Sequence, residues 1–248
     1  MTYCLGMLLE SGLVLMADTR TNAGIDNFST FRKLHTLCDQ PERQVYAATA
    51  GSLSLSQSAI GLLGEGDRRG LAEAGSMFAV ARVVGEAVAY VGETTGTALE
   101  REHIDNSLEM LVGGRIADGP LKLFLIYTIG NFIECTSDVP FLQIGETKYG
   151  RPILDRALSY STPLAEALKI GVLSFDSTME SNLGVAHPID VLVLPSDRHR
   201  PALKRRIEED DPYFIDTTRR WAQLLNEAVV SLPDPPWLSC TSEIQREA

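Results

Sequence analysis

Threonine stands second in this 248-residue chain, directly behind Met1. Methionine is removed when the next side chain is small, and its loss leaves a hydroxyl and a free α-amine on one residue. A threonine hydroxyl with its own amine as the base is an activated nucleophile. Two charged side chains, Asp18 and Arg20, close the second apolar run of the sequence. Cys4 lies nearby too, and reads as a small core residue rather than a nucleophile.

A hairpin has to bring these residues together. Residues 3–9 and 13–19 are apolar runs of strand length, separated by Glu10, Ser11 and Gly12. Three-residue loops favour glycine at a left-handed position, which Gly12 can fill. That closure pairs Leu9 with Leu13, sets Cys4 against Asp18 and Thr2 against Arg20, and sends all four side chains to one face. Closure on Ser11-Gly12 instead slips the register by one and breaks this relation. Both faces of the hairpin are apolar along most of their length, as in an inner sheet layer. Asp18 and Arg20, at the end nearest Thr2, then mark the rim of a cleft.

Thr2, the strand end Ala17-Asp18-Thr19-Arg20 and the stretch Phe31-Arg32-Lys33-Leu34 together resemble the start of a proteasome β-type subunit, an N-terminal nucleophile hydrolase. Val45 to Ser52 resembles that family's strand ending in an oxyanion-hole glycine, here Gly51. Gln143 to Gly150 resembles the stretch before its third helix. Two positions depart from the pattern. Glu146, with Thr147 beside it, stands where the family has a serine near the threonine amine. In Thr178-Met179-Glu180-Ser181-Asn182, Ser181 fits the family's Asp-x-x-Ser but the aspartate does not, and Asp176 is two positions away. Ser181-Asn182 followed by Pro188-Ile189-Asp190 is most similar to the bacterial proteasome-related family Anbu, the "ancestral β subunit". The resemblance covers about residues 2–195.

The resemblance implies a self-assembling threonine peptidase or amide hydrolase. Thr2 attacks the carbonyl and its amine, with an intrinsic pKa of about 8, takes the hydroxyl proton. Lys33 lowers that value and stabilises the oxygen, Asp18 orients Lys33, and the Gly51 N–H donates to the oxyanion. Ser181 completes the catalytic set, and Arg20, Thr49 and Leu53 face a peptide substrate. No cofactor or metal is implied, and assembly into a ring or spiral of identical subunits is expected, with an ATPase partner left open. Two other readings stand beside this one: a catalytically weak or inactive proteasome-like scaffold, and an amidase acting on a small molecule.

Composition narrows the field. A net charge of −11 opposes nucleic acid as the main ligand, because phosphate binding needs concentrated positive charge. The basic cluster Arg198 to Arg206 runs straight into Glu208, Glu209, Asp210 and Asp211, as on a solvated or self-associating face. No apolar run approaches the ~20 residues that span a bilayer, and the first apolar run has no basic region ahead of it, which predicts a cytoplasmic protein with no membrane partner. Cys4, Cys38, Cys135 and Cys240 are scattered, without zinc spacing.

Strands read at 33–38, 44–50, 109–113, 121–127, 131–136, 141–145 and 189–194, and helices at 53–63, 74–98, 150–159, 163–180 and 214–231. This order predicts an α+β fold, two antiparallel sheets with helices outside; the resemblance makes it a four-layer αββα sandwich. Residues 2–195 form the expected catalytic domain and 196–248 a helical C-terminal extension. In the extension, Trp221, Leu224, Leu225, Ala228 and Val229 make one helical stripe. Pro233-Asp234-Pro235-Pro236 ends that helix, and the last dozen residues read as loosely ordered.

Overall fold

The computed structural model describes residues 1–22, 28–65 and 69–239. Cys240 and the end of the tail lie outside the described residues. The chain divides into two compact units, Met1–Asp211 and Pro212–Ala248.

In the first unit the opening apolar runs form β1 (Tyr3–Leu9) and β2 (Gly12–Asp18), buried at every position. A short ribbon follows, β3 (Arg20–Asn22) with β4 (Phe28–Thr30). Next come β5 (Leu34–Gln40), β6 (Arg43–Gly51), α1 (Leu53–Glu65), α2 (Arg69–Glu73) and α3 (Met77–Val91). A wider π-type turn, Gly92–Gly96, joins α3 to α4 (Thr97–Arg101). A second strand block contains β7 (Leu108–Ile116), β8 (Lys122–Ile126), β9 (Phe132–Glu134) and β10 (Phe141–Gly145). Then come α5 (Arg151–Ala157), α6 (Leu164–Ser181), β11 (Ile189–Pro195) and β12 (Leu203–Ile207).

The strands make two five-stranded antiparallel sheets, ordered β10-β1-β2-β11-β12 and β5-β6-β7-β8-β9. Their inner faces share a core of Cys4, Leu13, Leu15, Tyr46, Leu111, Leu123 and their neighbours. On the far side of the second sheet, Leu55 of α1 and Val80, Val84 and Val88 of α3 pack on Val45, Met110, Val112 and Phe124. The buried positions of α3 recur every three or four residues, and Ser76 caps the helix by accepting from the Ala79 N–H. On the far side of the first sheet, Phe175 of α6 meets Tyr3, ring centroids 4.5 Å apart. The order of layers is helix, sheet, sheet, helix, as expected. With both sheets covered on both faces, cutting one inner leucine to alanine costs about 2–5 kcal/mol through the cavity it leaves.

Two expectations need correction. The first hairpin closes on two residues, Glu10 and Ser11, not three. Leu9 pairs with Gly12 and Cys4 with Ala17, so extending that register puts Tyr3 opposite Asp18 and Thr2 opposite Thr19. Thr2 and Asp18 therefore project to opposite faces. Gly12 is a strand residue pressed against β11, where an added Cβ would lie 2.7 Å from the Leu194 carbonyl oxygen. The glycine answers a close approach, not a turn.

The second concerns the boundary after residue 195. β12 pairs residue for residue with β11, Val191 with Arg205 and Asp190 with Arg206, and is the edge strand of the first sheet. Its Lys204, Arg205 and Arg206 are charges of the kind that keep a free sheet edge from pairing further. In the sequence the same charges read as a solvated or self-associating face. The helical extension therefore begins at Pro212.

The second unit contains α7 (Pro212–Ser231) and α8 (Pro236–Ser239). The apolar stripe of α7 is present, and Leu224, Leu225 and Val229 on it are 41%, 46% and 69% exposed. No helix among the described residues is long and apolar enough to cross a membrane.

Candidate active site

Thr2 is held from both sides by neighbouring strand ends. On one side, β10 pairs with β1 to the register Tyr3 opposite Gly145, and the next amide, Glu146 N–H, donates to the Thr2 carbonyl at 2.7 Å. Gly145 has φ +82°, and a Cβ there would collide with the Thr2 carbonyl. Glycine satisfies both demands at once. On the other side, the Tyr3 N–H donates to Asp18 Oδ1 at 2.9 Å. The backbone of the first two residues is thus fixed before any side chain is considered.

Asp18 is fully buried and gathers three donors. Besides Tyr3, the Arg20 N–H reaches Oδ2 at 3.1 Å, and Lys33 Nζ reaches Oδ1 at 2.8 Å. Lys33 also donates to the Arg20 carbonyl at 2.6 Å, and its own carbonyl accepts from the Thr49 N–H at 3.0 Å. The ammonium is therefore tied down at both ends of its residue. Burial pushes the Asp18 carboxyl above the usual carboxylate range, against the pull of the Lys33 ammonium and the two amides. Cys4 is buried and its thiol is pushed up by burial, which suits a core residue and not a nucleophile.

A cleft of about 370 Å³ opens beside Thr2 and Lys33. Thr49, Gly51 and Leu53 line it, together with Met1, Thr21, Ala50, Ser52, Ser54, Ser56, Ile104 and Asp105. Of the residues expected here, Thr2, Lys33, Thr49, Gly51 and Leu53 therefore share one cleft, with Asp18 directly behind Lys33. Arg20 contributes through its main chain, between Asp18 and Lys33, and is not among the lining residues. Ser181 is not brought to the cleft either; it is the exposed last residue of α6. Asp176, the alternative to the family's aspartate, is likewise outside the lining of the cleft.

Two features were missed in the sequence. Thr21 lines the cleft, and its Oγ1 is buried with no hydrogen-bond partner among the described residues. Asn182, next to Ser181, donates from Nδ2 to Glu146 Oε2 at 2.9 Å, linking the end of α6 to the residue that holds the Thr2 carbonyl. Only the position of Thr21 one residue beyond Arg20, and of Asn182 one beyond Ser181, pointed their way. Among the described residues no cluster of His, Cys, Asp or Glu is arranged to hold a metal.

No protein-family profile matches the chain, and neither does any curated protein. Solved structures do. Anbu (ancestral beta-subunit) from Yersinia bercovieri is 41% identical with a TM-score of 0.85, covering 94% of this chain and 98% of that one. The helical assembly of the Anbu complex from Pseudomonas aeruginosa is 42% identical with a TM-score of 0.84, again over 94% and 98%. Anbu from Hyphomicrobium sp. strain MC1 is 40% identical with a TM-score of 0.83, over 94% and 99%. This chain belongs to the Anbu family. Its two-sheet sandwich is thus the proteasome-like, N-terminal-nucleophile scaffold, and the match covers nearly the whole of both chains.

Proposed function

We propose that the chain is a self-assembling threonine hydrolase of peptide or amide bonds, matured by loss of Met1. The observation that carries this reading is the meeting of Thr2, Lys33 and Gly51 in one cleft, with the Lys33 ammonium locked between Asp18 and the Arg20 carbonyl. The Thr2 hydroxyl oxygen attacks the substrate carbonyl while its proton passes to the Thr2 amine. Lys33 stabilises negative charge on the attacking oxygen, and the Gly51 N–H meets the oxyanion, a contribution of a few kcal/mol in comparable sites. Collapse breaks the carbon–nitrogen bond, the amine returns the proton to the leaving nitrogen, and water then hydrolyses the threonine ester.

The direct test is covalent. Incubation with a β-lactone is expected to add one lactone mass to a chain that starts at Thr2, with the adduct on the Thr2 hydroxyl. A reactive chain that retains Met1, or an adduct elsewhere, overturns the mechanism. An inert Thr2 would instead favour the scaffold reading, for which the altered positions at Glu146 and Thr178 speak.

Assembly is the second element of the proposal. The Pseudomonas aeruginosa relative is described as a helical assembly, and heterologous contacts that do not close give a spiral. The exposed apolar stripe of α7 is a fitting contact between copies of this chain. A few hundred Å² buried there at ~25 cal/mol per Å² contributes several kcal/mol before the costs of association. Light scattering is expected to show oligomers for the full chain, and smaller species for protein ending at Asp211 and for Leu225→Asp. Truncation belongs after Asp211, because an earlier cut removes β12 from its sheet. If both variants remain fully assembled at micromolar concentration, the contacts lie on other helices.

A further inference from the structure

Glu146 is a buried carboxylate whose surroundings provide no cation. Its Oε1 accepts from the Lys148 N–H at 3.0 Å and its Oε2 from Asn182 Nδ2 at 2.9 Å. Both donors are neutral, and no ammonium or guanidinium among the described residues pairs with it. Burying a carboxylate without a counter-charge is costly, so such a group points to a missing positive partner.

The chain's own start lies beside it. The Glu146 amide already holds the Thr2 carbonyl at 2.7 Å. Asn182, which orients the carboxylate, accepts from the Gly184 N–H through Oδ1 at 2.9 Å. A Cβ built on Gly184 would lie 2.5 Å from the Met1 Cβ and 3.0 Å from Asn182 Oδ1. Met1 is therefore packed on the turn that orients Glu146, and its removal would uncover the Thr2 amine beside that turn.

We propose that Glu146 is the counter-ion of the Thr2 α-ammonium in the mature chain, with Asn182 as its positioning residue. The inference rests on the threonine-hydrolase reading for its catalytic meaning, though not for its electrostatics. When the Thr2 oxygen bonds to the substrate carbon, its proton makes the amine an ammonium. Glu146 stabilises that ion until it gives the proton to the leaving nitrogen. A carboxylate thus stands where the resemblance places a neutral serine. The other charges around Thr2 are Asp18 at the end of β2, Lys33 ahead of β5 and Asp105 on the cleft rim, with Arg20 flanking Asp18. Lys148 and Glu180 face solvent. Lys33 favours the neutral amine and Glu146 the charged one, so the two oppose each other across Thr2.

The test titrates the amine itself. Full-length chains beginning at Thr2 are released from an N-terminal ubiquitin fusion as wild type, Glu146→Gln and Asn182→Ala. Limiting acetic anhydride then labels the amine across a pH series, read by peptide mass spectrometry, with thermal melting as the control for folding. The midpoint of Thr2 labelling is expected to fall by about one pH unit in Glu146→Gln and by less in Asn182→Ala. An unchanged midpoint in the variants that fold overturns the proposal. The labelling needs no turnover. Absence of peptide hydrolysis in all chains would remove the hydrolase reading and leave this measurement intact. Where hydrolysis is present, the ascending limb of kcat against pH is expected to move down in Glu146→Gln, with KM little changed.

Discussion

Thr2→Ala is expected to abolish amide hydrolysis and leave the protein folded. The change removes one hydroxyl and one methyl from a residue fixed mainly by its backbone, through the Glu146 N–H on its carbonyl and the Tyr3 N–H on Asp18. Those bonds survive any side-chain substitution. Alanine is also small, so removal of Met1 proceeds as before and the amine remains in place. What disappears is the attacking oxygen, and losing a nucleophile in acyl transfer lowers kcat by about 10⁴-fold or more. Thr2→Ser restores the oxygen without the methyl that narrows the choice of χ1, and is expected to keep part of the rate. Turnover of a fluorogenic peptide panel, with circular dichroism and sizing as controls, decides the matter. Wild-type turnover by Thr2→Ala on every cleaved peptide would mean the nucleophile is elsewhere.

The layers of the fold were legible because the first two strands have no wet face. The runs at 3–9 and 13–19 could only belong inside, and every residue of β1 and β2 is buried. The strand edges were harder to read. β12 carries Lys204, Arg205 and Arg206 because an exposed edge is protected by charge, and that same charge hides the alternation that would identify a strand. The register of the first hairpin was misread because Gly12 has two possible reasons to be glycine, a turn or a close approach, and local sequence does not show the Leu194 carbonyl that makes it the latter. In the site, Thr2, Lys33, Thr49 and Gly51 come together because they lie at strand ends whose order is a property of the sheets, and Leu53 joins them as the first residue of α1 directly after β6. Asp18 joins them although its side chain points to the face opposite Thr2. It acts on Lys33, which arrives from another sheet. Ser181 stays outside the cleft, because α6 ends there and the chain turns, and it is Asn182 after it that meets Glu146. A helix terminus is where a one-residue error changes direction most.

Lys33→Ala is expected to cost turnover far more than substrate binding. Lys33 is only 5% exposed, with Nζ 2.8 Å from Asp18 Oδ1 and 2.6 Å from the Arg20 carbonyl, so its charge is aimed by the protein and not by a ligand. On the proposed mechanism it acts on the Thr2 oxygen as that oxygen gains negative character, a stage absent from the bound ground state. The expected signature is a fall in kcat of about 10³-fold with KM little changed. Stability falls as well, because Asp18 is left buried with two amides and no cation, at about 3–5 kcal/mol. Pairing Lys33→Met with Asp18→Asn removes both charges and is expected to recover much of that stability while turnover stays low. This separates the catalytic loss from the structural one. Lys33→Arg keeps a positive charge and still fails, since a wide planar fork cannot place one compact cation between the Asp18 carboxylate and the Arg20 carbonyl. The check is kcat and KM on one peptide together with thermal melting for each variant. Normal kcat in Lys33→Arg would show that any nearby positive charge suffices, and the clamp on the ammonium would lose its catalytic meaning.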